Sequence, residues 1–242
     1  MDIHNLVGQL RELQTERGTR LERQAAIYQN LRMIYGGNKT CSALRVAPGW
    51  CVTAKHGVST KESNYTGFSA DFVYDPETGV KNRISGGYLH AYEDIAIIYA
   101  PPSESQNTPV GALQISIDAM KSGEQLWHYV RIPQALSDEP GQTMPFGLIT
   151  GTLEDGKPLK ESPIIPPPIS QNLLYAQGMS GYPGGSGGPF MNRDGIVVGV
   201  MSSSYSLVVP NSENLDTQNQ TPVVIEGSAF VPLNKMFQLI AA

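Results

Sequence analysis

Cysteine is scarce: the 242 residues hold only two, Cys41 and Cys51. If both lie in one hairpin that turns near Pro48-Gly49, they sit several residue pairs apart along its ladder. A disulfide spans only about 4.4–6.8 Å between Cα atoms, so free thiols and a reducing compartment are expected. Two lone cysteines make no zinc site, and His4, His90 and His128 stand without further ligand-type neighbours, so no metal and no cofactor is expected. The chain also lacks any run approaching the ~20 apolar residues that span a bilayer. Its start, Met1-Asp2-Ile3-His4, lacks the basic and then apolar layout of a secretory signal, and the expected location is cytoplasmic. Positive charge is not in excess either: 17 Lys and Arg stand against 22 Asp and Glu, a net charge of −5, and arginines cluster only within the first 35 residues. Neither nucleic acid nor a membrane surface is an expected partner.

What the chain does have is 25 glycines, 18 prolines and 40% hydrophobic residues. The glycines and prolines fall in short clusters between apolar runs, the texture of many turns and many short strands, and the length allows one large all-β unit or two small ones. Apolar runs at 41–46, 50–54, 67–74, 94–99, 112–116, 126–132, 146–152, 173–176, 196–201, 206–209 and 223–232 are read as strands. The polar stretch 117–125 is the candidate crossover between two halves.

Only the first part of the chain reads as a long helix. Ile3, Leu6, Leu10, Leu13, Ile27, Leu31 and Ile34 recur at spacings of three and four, with Asp2 able to cap the start and Gly36-Gly37 the end. Arg17, Arg20 and Gln24 interrupt the seam and Gly18 weakens the helix there, so a kinked helix or two short ones lying on the barrel is expected rather than a coiled coil. Such an extension can serve packing, or it can be a regulatory, targeting or oligomerisation arm. The last ten residues, with Leu233, Met236, Phe237 and Ile240 at helical spacing, predict a short closing helix. The expected division is residues 1–37 as helical extension, 38–118 as a first β unit and 119–242 as a second.

Three segments carry chemistry. Gly184-Gly185-Ser186-Gly187-Gly188-Pro189 places a serine between glycines, where side-chain-free neighbours let a substrate carbonyl approach and let backbone N–H groups face it. Trp50-Cys51-Val52-Thr53-Ala54-Lys55-His56 ends an apolar strand on an imidazole. Glu93-Asp94-Ile95-Ala96-Ile97-Ile98 opens an apolar strand with an acid. Singly, each is common in ordinary turns and strands; together they run in the order His, Asp, Ser.

With Thr53-Ala54-Lys55-His56, Asp94-Ile95-Ala96 and Gly184 to Pro189 standing in that order, the chain from about residue 40 onward resembles the chymotrypsin-like serine peptidases. The resemblance implies an all-β fold of two six-stranded Greek-key barrels with a cleft between them. It implies Ser186 as nucleophile, His56 as general base, Asp94 as the group orienting the histidine, and the N–H groups of Gly184 and Ser186 as the oxyanion hole. By the same motif alignment, Ser180, Gly181, Ser202, Ser203, Ser204, Ser228 and Ala229 line the substrate pocket, and Ser202 hydrogen-bonds near Asp94. None of these is acidic, so a protein or peptide substrate with an uncharged P1 side chain is expected.

The departures from that family's secreted members are informative. The residue before the nucleophile, an aspartate in the trypsin subgroup, is Gly185, so activation by a freshly cut N-terminus has no acceptor. The cysteine that commonly follows the histidine is Gly57. Both departures, and Ser228-Ala229-Phe230-Val231-Pro232, are similar to HtrA-type or virus-encoded branches. Two other classes compete with an endopeptidase: a catalytically inactive two-barrel binding module, which intact His56, Asp94 and Ser186 argue against, and an esterase, whose usual strand-to-helix nucleophile turn does not fit a serine followed by Pro189 and another strand.

Overall fold

A computed structural model describes residues 3–36, 39–59, 66–103, 107–131, 146–153, 173–178, 184–209 and 223–241. Two helices open the chain, α1 (Ile3–Glu12) and α2 (Arg20–Asn30). They separate where the apolar seam is interrupted, with Gly18 at φ +57° and Thr19 capping α2 through a reciprocal bond with Glu22. The predicted continuation of the helix to about residue 34 is corrected. Leu31–Gly36 is strand β1, paired with β2 (Lys39–Ala47) on one side and β4 (Phe72–Tyr74) on the other. Leu31 and Ile34 sit at helical spacing, but both are buried in the strand, where two ladders satisfy the backbone and tertiary pairing overrides the local pattern. Helix α2 thus ends at Asn30 and strand β1 begins at Leu31.

The remaining strands are β3 (Trp50–Thr53), β5 (Lys81–Arg83), β6 (Gly86–Leu89), β7 (Ala96–Tyr99), β8 (Gln125–Arg131), β9 (Phe146–Leu153), β10 (Leu174–Gln177), β11 (Pro189–Asn192), β12 (Val197–Val209) and β13 (Val223–Pro232). One turn of helix, α3 (Lys55–Val58), follows β3, and α4 (Asn234–Ala241) closes the chain, as its apolar spacing predicts. The fold is mostly β with two barrel-like units. The second unit is a closed six-stranded barrel in the order β10-β13-β12-β11-β8-β9. The first is a curled seven-stranded sheet, β5-β4-β1-β2-β3-β7-β6, one strand more than the expected six. The extra count comes from short polar strands such as Lys81–Arg83, which carry no apolar alternation.

Cys41 and Cys51 are buried and form no disulfide, as the ladder argument requires, because Cys51 pairs with Arg45 in the β2–β3 hairpin and Cys41 lies four residues further along β2. The predicted strand at 112–116 is corrected to an extended linker with a single bridge, Ile115 to Val197. It is tied to the helical segment as well as to Val197: Ile115 N–H donates to Leu13 O at 2.9 Å, and buried Arg23 holds Gln114 and the Asp194 carbonyl. Leu6, Leu10, Leu13 and Ile27 share one apolar core with Val52 and Ile97 of the first sheet, Val200 and Val231 of the second, and Met236 of α4. The N-terminal helices thus sit inside the packing between the two units.

Among the described residues no helix is long and apolar enough to cross a membrane, and no group of three His, Cys, Asp or Glu could hold a metal ion.

Candidate active site

Thr53 ends β3, and the single turn α3 turns His56 toward the seam between the two sheets. Asp94 lies just before β7, the neighbour of β3 in the sheet, so two adjacent strands deliver the two side chains. His56 Nδ1 lies 2.7 Å from Asp94 Oδ2, and the His56 backbone N–H donates to Asp94 Oδ1 at 2.8 Å. Asp94 is fully buried, while the His56 side chain keeps 28% exposure. A buried carboxylate needs partners for its lone pairs, and a third comes from the other barrel: the Ser202 hydroxyl donates to Asp94 Oδ2 at 2.5 Å. Ser202 can do this because it is the extra residue of a bulge; β12 pairs Met201 with Phe230 and Ser203 with Ala229, leaving Ser202 out of register.

Ser186 stands in the glycine-rich turn before β11, half-buried, its hydroxyl donating to the Ser202 carbonyl at 3.2 Å. The turn is pressed against the first sheet. A Cβ on Gly187, at φ +82°, would lie 2.2 Å from Ser42 O and 2.2 Å from Thr53 Oγ1, so only glycine fits. Three consecutive carbonyls of the turn are held: Gly184 O by the Ser42 hydroxyl at 2.8 Å, Gly185 O by Gly188 N–H at 2.9 Å, and Ser186 O by Ser42 N–H at 2.8 Å. Of the expected pocket residues, Ser202, Ser203 and Ser204 lie on β12 and Ser228 and Ala229 opposite them on β13, in register Ser203 with Ala229 and Ser204 with Ser228. Ser180 and Gly181 lie outside the described residues.

The model of the trypsin family matches residues 18–220. The chain belongs to the trypsin family. No curated protein matches it in sequence, but solved structures do in fold. Rv3671c protease from M. tuberculosis in its active form is 14% identical, with 94% of this chain and 87% of that one covered and a TM-score of 0.59. A Glu endopeptidase in complex with MPD is 18% identical over 94% and 97% of the two chains, at 0.58. The HtrA-type protease AlgW with a tripeptide is 10% identical over 93% and 63%, at 0.54. These likenesses are of fold alone; it is the family match that makes this chain a serine endopeptidase.

Several residues around the site carry no sequence signal of their own. Lys55, a mere spacer in the Thr-Ala-x-His motif, is almost completely buried and donates through Nζ to His90 O at 2.8 Å. Burial pushes its ammonium below the ordinary lysine range, with Asp94 and then Glu93 acting in the opposite sense. His90 Nδ1 in turn accepts from Tyr92 N–H at 3.1 Å and Glu93 N–H at 3.0 Å, shaping the turn that carries Asp94. Behind the nucleophile turn lies His128, fully buried and stacked on Phe190 at 4.9 Å, with no hydrogen-bond partner for either ring nitrogen among the described residues. Burial pushes it down to about 3, while the nearby Gly185 carbonyl, outside good hydrogen-bond geometry, acts the other way, so it stands neutral. Gly188 leaves it room, since a Cβ there would lie 2.7 Å from His128 Nε2. Alternation along β8 foretells an inward residue at 128, but nothing in the sequence says that a histidine can be accommodated there.

Proposed function

We propose that this chain cleaves peptide bonds through an acyl-enzyme, with Ser186 as nucleophile, His56 as general base and then general acid, and Asp94 as the buried carboxylate that fixes the imidazole. The observation that carries the reading is the chain of contacts across the barrel seam: His56 Nδ1 on Asp94 Oδ2, Ser202 Oγ on the same oxygen, and Ser186 Oγ on the Ser202 carbonyl. A serine hydroxyl is too weak a nucleophile at its own pKa and needs a neighbouring base. With Nδ1 committed to Asp94, Nε2 of His56 takes the Ser186 proton and later returns it to the leaving amine. Asp94 stays ionised and stabilises the imidazolium. Charge on the substrate carbonyl oxygen is met by Gly184 N–H and Ser186 N–H; loss of one such donor costs about 2.7–4 kcal/mol of transition-state stabilisation.

The substrate is a protein or peptide segment lying along β12 beside Ser202, Ser203 and Ser204, its P1 side chain entering between these and Ser228 and Ala229. None of the five is charged, which supports an uncharged P1 residue because a cationic P1 side chain would need a buried counter-charge. Gly185 supplies no carboxylate for a new N-terminus, which supports a chain that needs no N-terminal cut to become competent. Profiling on a peptide library tests both: cleavage after uncharged residues by the uncut chain is expected, and cleavage confined to Arg or Lys, or only after N-terminal trimming, would contradict it.

A further inference from the structure

A Gly-Gly-Ser-Gly-Gly turn has the greatest backbone freedom a chain can offer, and ordering it is costly in entropy. No carboxylate at position 185 holds it. Strand β12 holds its later half, with Gly187 N–H on Met201 O at 2.7 Å, and the first barrel holds it through Ser42. Ser42 on β2 is fully buried and grips the turn twice, with its hydroxyl on Gly184 O at 2.8 Å and its N–H on Ser186 O at 2.8 Å. Ser42 is itself fixed: its carbonyl accepts the Thr53 hydroxyl at 2.7 Å, and Gly187 packs so close to that carbonyl that a Cβ there would lie 2.2 Å from it. Gly184 N–H and Gly184 C=O share one Cα. That carbonyl belongs to the 184–185 peptide plane, which stands between the planes carrying the two donor N–H groups; holding it fixes the frame to which each donor plane is joined through a single Cα. The Gly185 carbonyl, tied to Gly188 N–H, shares a peptide plane with Ser186 N–H, the second donor.

We propose that the Ser42 hydroxyl is a positioning residue that keeps the oxyanion turn in its competent shape, in the absence of an ion pair from a cleaved N-terminus. This rests on the catalytic reading of Ser186 given above. Ser42 touches no substrate; it acts through Gly184.

The test is the rate of phosphonylation by diisopropyl fluorophosphate, whose phosphoryl oxygen occupies the oxyanion hole in the transition state, measured on wild type, Ser42→Ala and Ser42→Cys with melting temperatures recorded alongside. Wild type must first be labelled at Ser186; if it is not, the catalytic reading itself fails. Given labelling, Ser42→Ala is expected to lower the maximal inactivation rate about 10–100-fold, part of the loss seen when an oxyanion donor is removed outright, with half-saturation within threefold and the melting curve still cooperative above assay temperature. Ser42→Cys, a weaker donor of similar shape, falls between the two and stands in for alanine should that variant not fold. An inactivation rate within threefold of wild type in a folded variant, or a loss confined to half-saturation, overturns the proposal.

Discussion

Ser202 and Asp94, 108 residues apart in the chain, meet across the barrel seam, where the serine hydroxyl donates to Oδ2 of the aspartate at 2.5 Å. The same oxygen faces His56 Nδ1, so one carboxylate atom is shared between the base and a strand of the other barrel. A hydrogen bond to a buried charge contributes about 1.5–3 kcal/mol. Ser202→Ala is therefore expected to lower kcat/KM by about tenfold or more while leaving the fold intact, because the Ser202 carbonyl that receives Ser186 remains. Steady-state kinetics on a peptide substrate checks this; an unchanged kcat/KM would mean that Asp94 is held well enough by His56 alone.

Gly187 is a stricter position. A methyl group there would collide with Ser42 O and Thr53 Oγ1 and would sit on a residue at φ +82°. Gly187→Ala is expected to displace the nucleophile turn, abolishing labelling of Ser186 and lowering the melting temperature, whereas Gly123→Ala, also at positive φ but with open space around it, affects stability modestly and labelling not at all.

Acid stability should report His128. Its ordinary value is 6.5 and burial holds it near 3 in the folded chain. Between those pH values the unfolded chain binds a proton that the folded chain does not, so stability is lost as pH falls through that window, at up to about 1.4 kcal/mol per pH unit. His128→Phe keeps the stack on Phe190 and removes the titration. Urea midpoints at pH 7 and pH 4.5 are expected to differ less for this variant than for wild type; equal differences would place a protonated histidine inside the barrel.

The two thiols are expected to be inert. Cys41 and Cys51 are 2% and 3% exposed, and burial pushes Cys51 up to about 11. Iodoacetamide at neutral pH should modify neither in the native chain and both after denaturation, as read by intact mass.

Leu10, fully buried on α1, separates the packing role of the N-terminal helices from a regulatory one. Leu10→Ala is expected to destabilise the fold by about 2–5 kcal/mol with labelling of the folded fraction unchanged. Faster labelling without destabilisation would instead identify an inhibitory arm.

Sequence patterns carried much of this arrangement, for identifiable reasons. Thr53 to His56, Asp94 to Ala96 and Gly184 to Pro189 are legible because backbone contact limits what can stand there: Gly187 is squeezed by Ser42 and Thr53, and Asp94 by His56 and Ser202. The break at Gly18 and the closing helix were equally readable from periodicity. Strand β1 was not, because Leu31 and Ile34 are apolar at a spacing that suits either a helix or a doubly paired strand, and only the partners β2 and β4 decide between them. The polar strand at 81–83 and the linker at 112–116 fail for the converse reason: pairing, not composition, defines the first, and the second is held by the helical segment and a single bridge rather than by a full ladder. Ser42, Lys55 and His128 are invisible in one dimension, since each matters through a neighbour distant in the chain.

The most direct test of the central claim is labelling of the purified chain with a fluorophosphonate probe, comparing wild type with Ser186→Ala and His56→Ala. The arrangement of His56, Asp94 and Ser186 predicts labelling of wild type at Ser186, none of Ser186→Ala, and little of His56→Ala. An unlabelled wild-type chain that is folded by circular dichroism, or a His56→Ala variant labelled as fast as wild type, would contradict it.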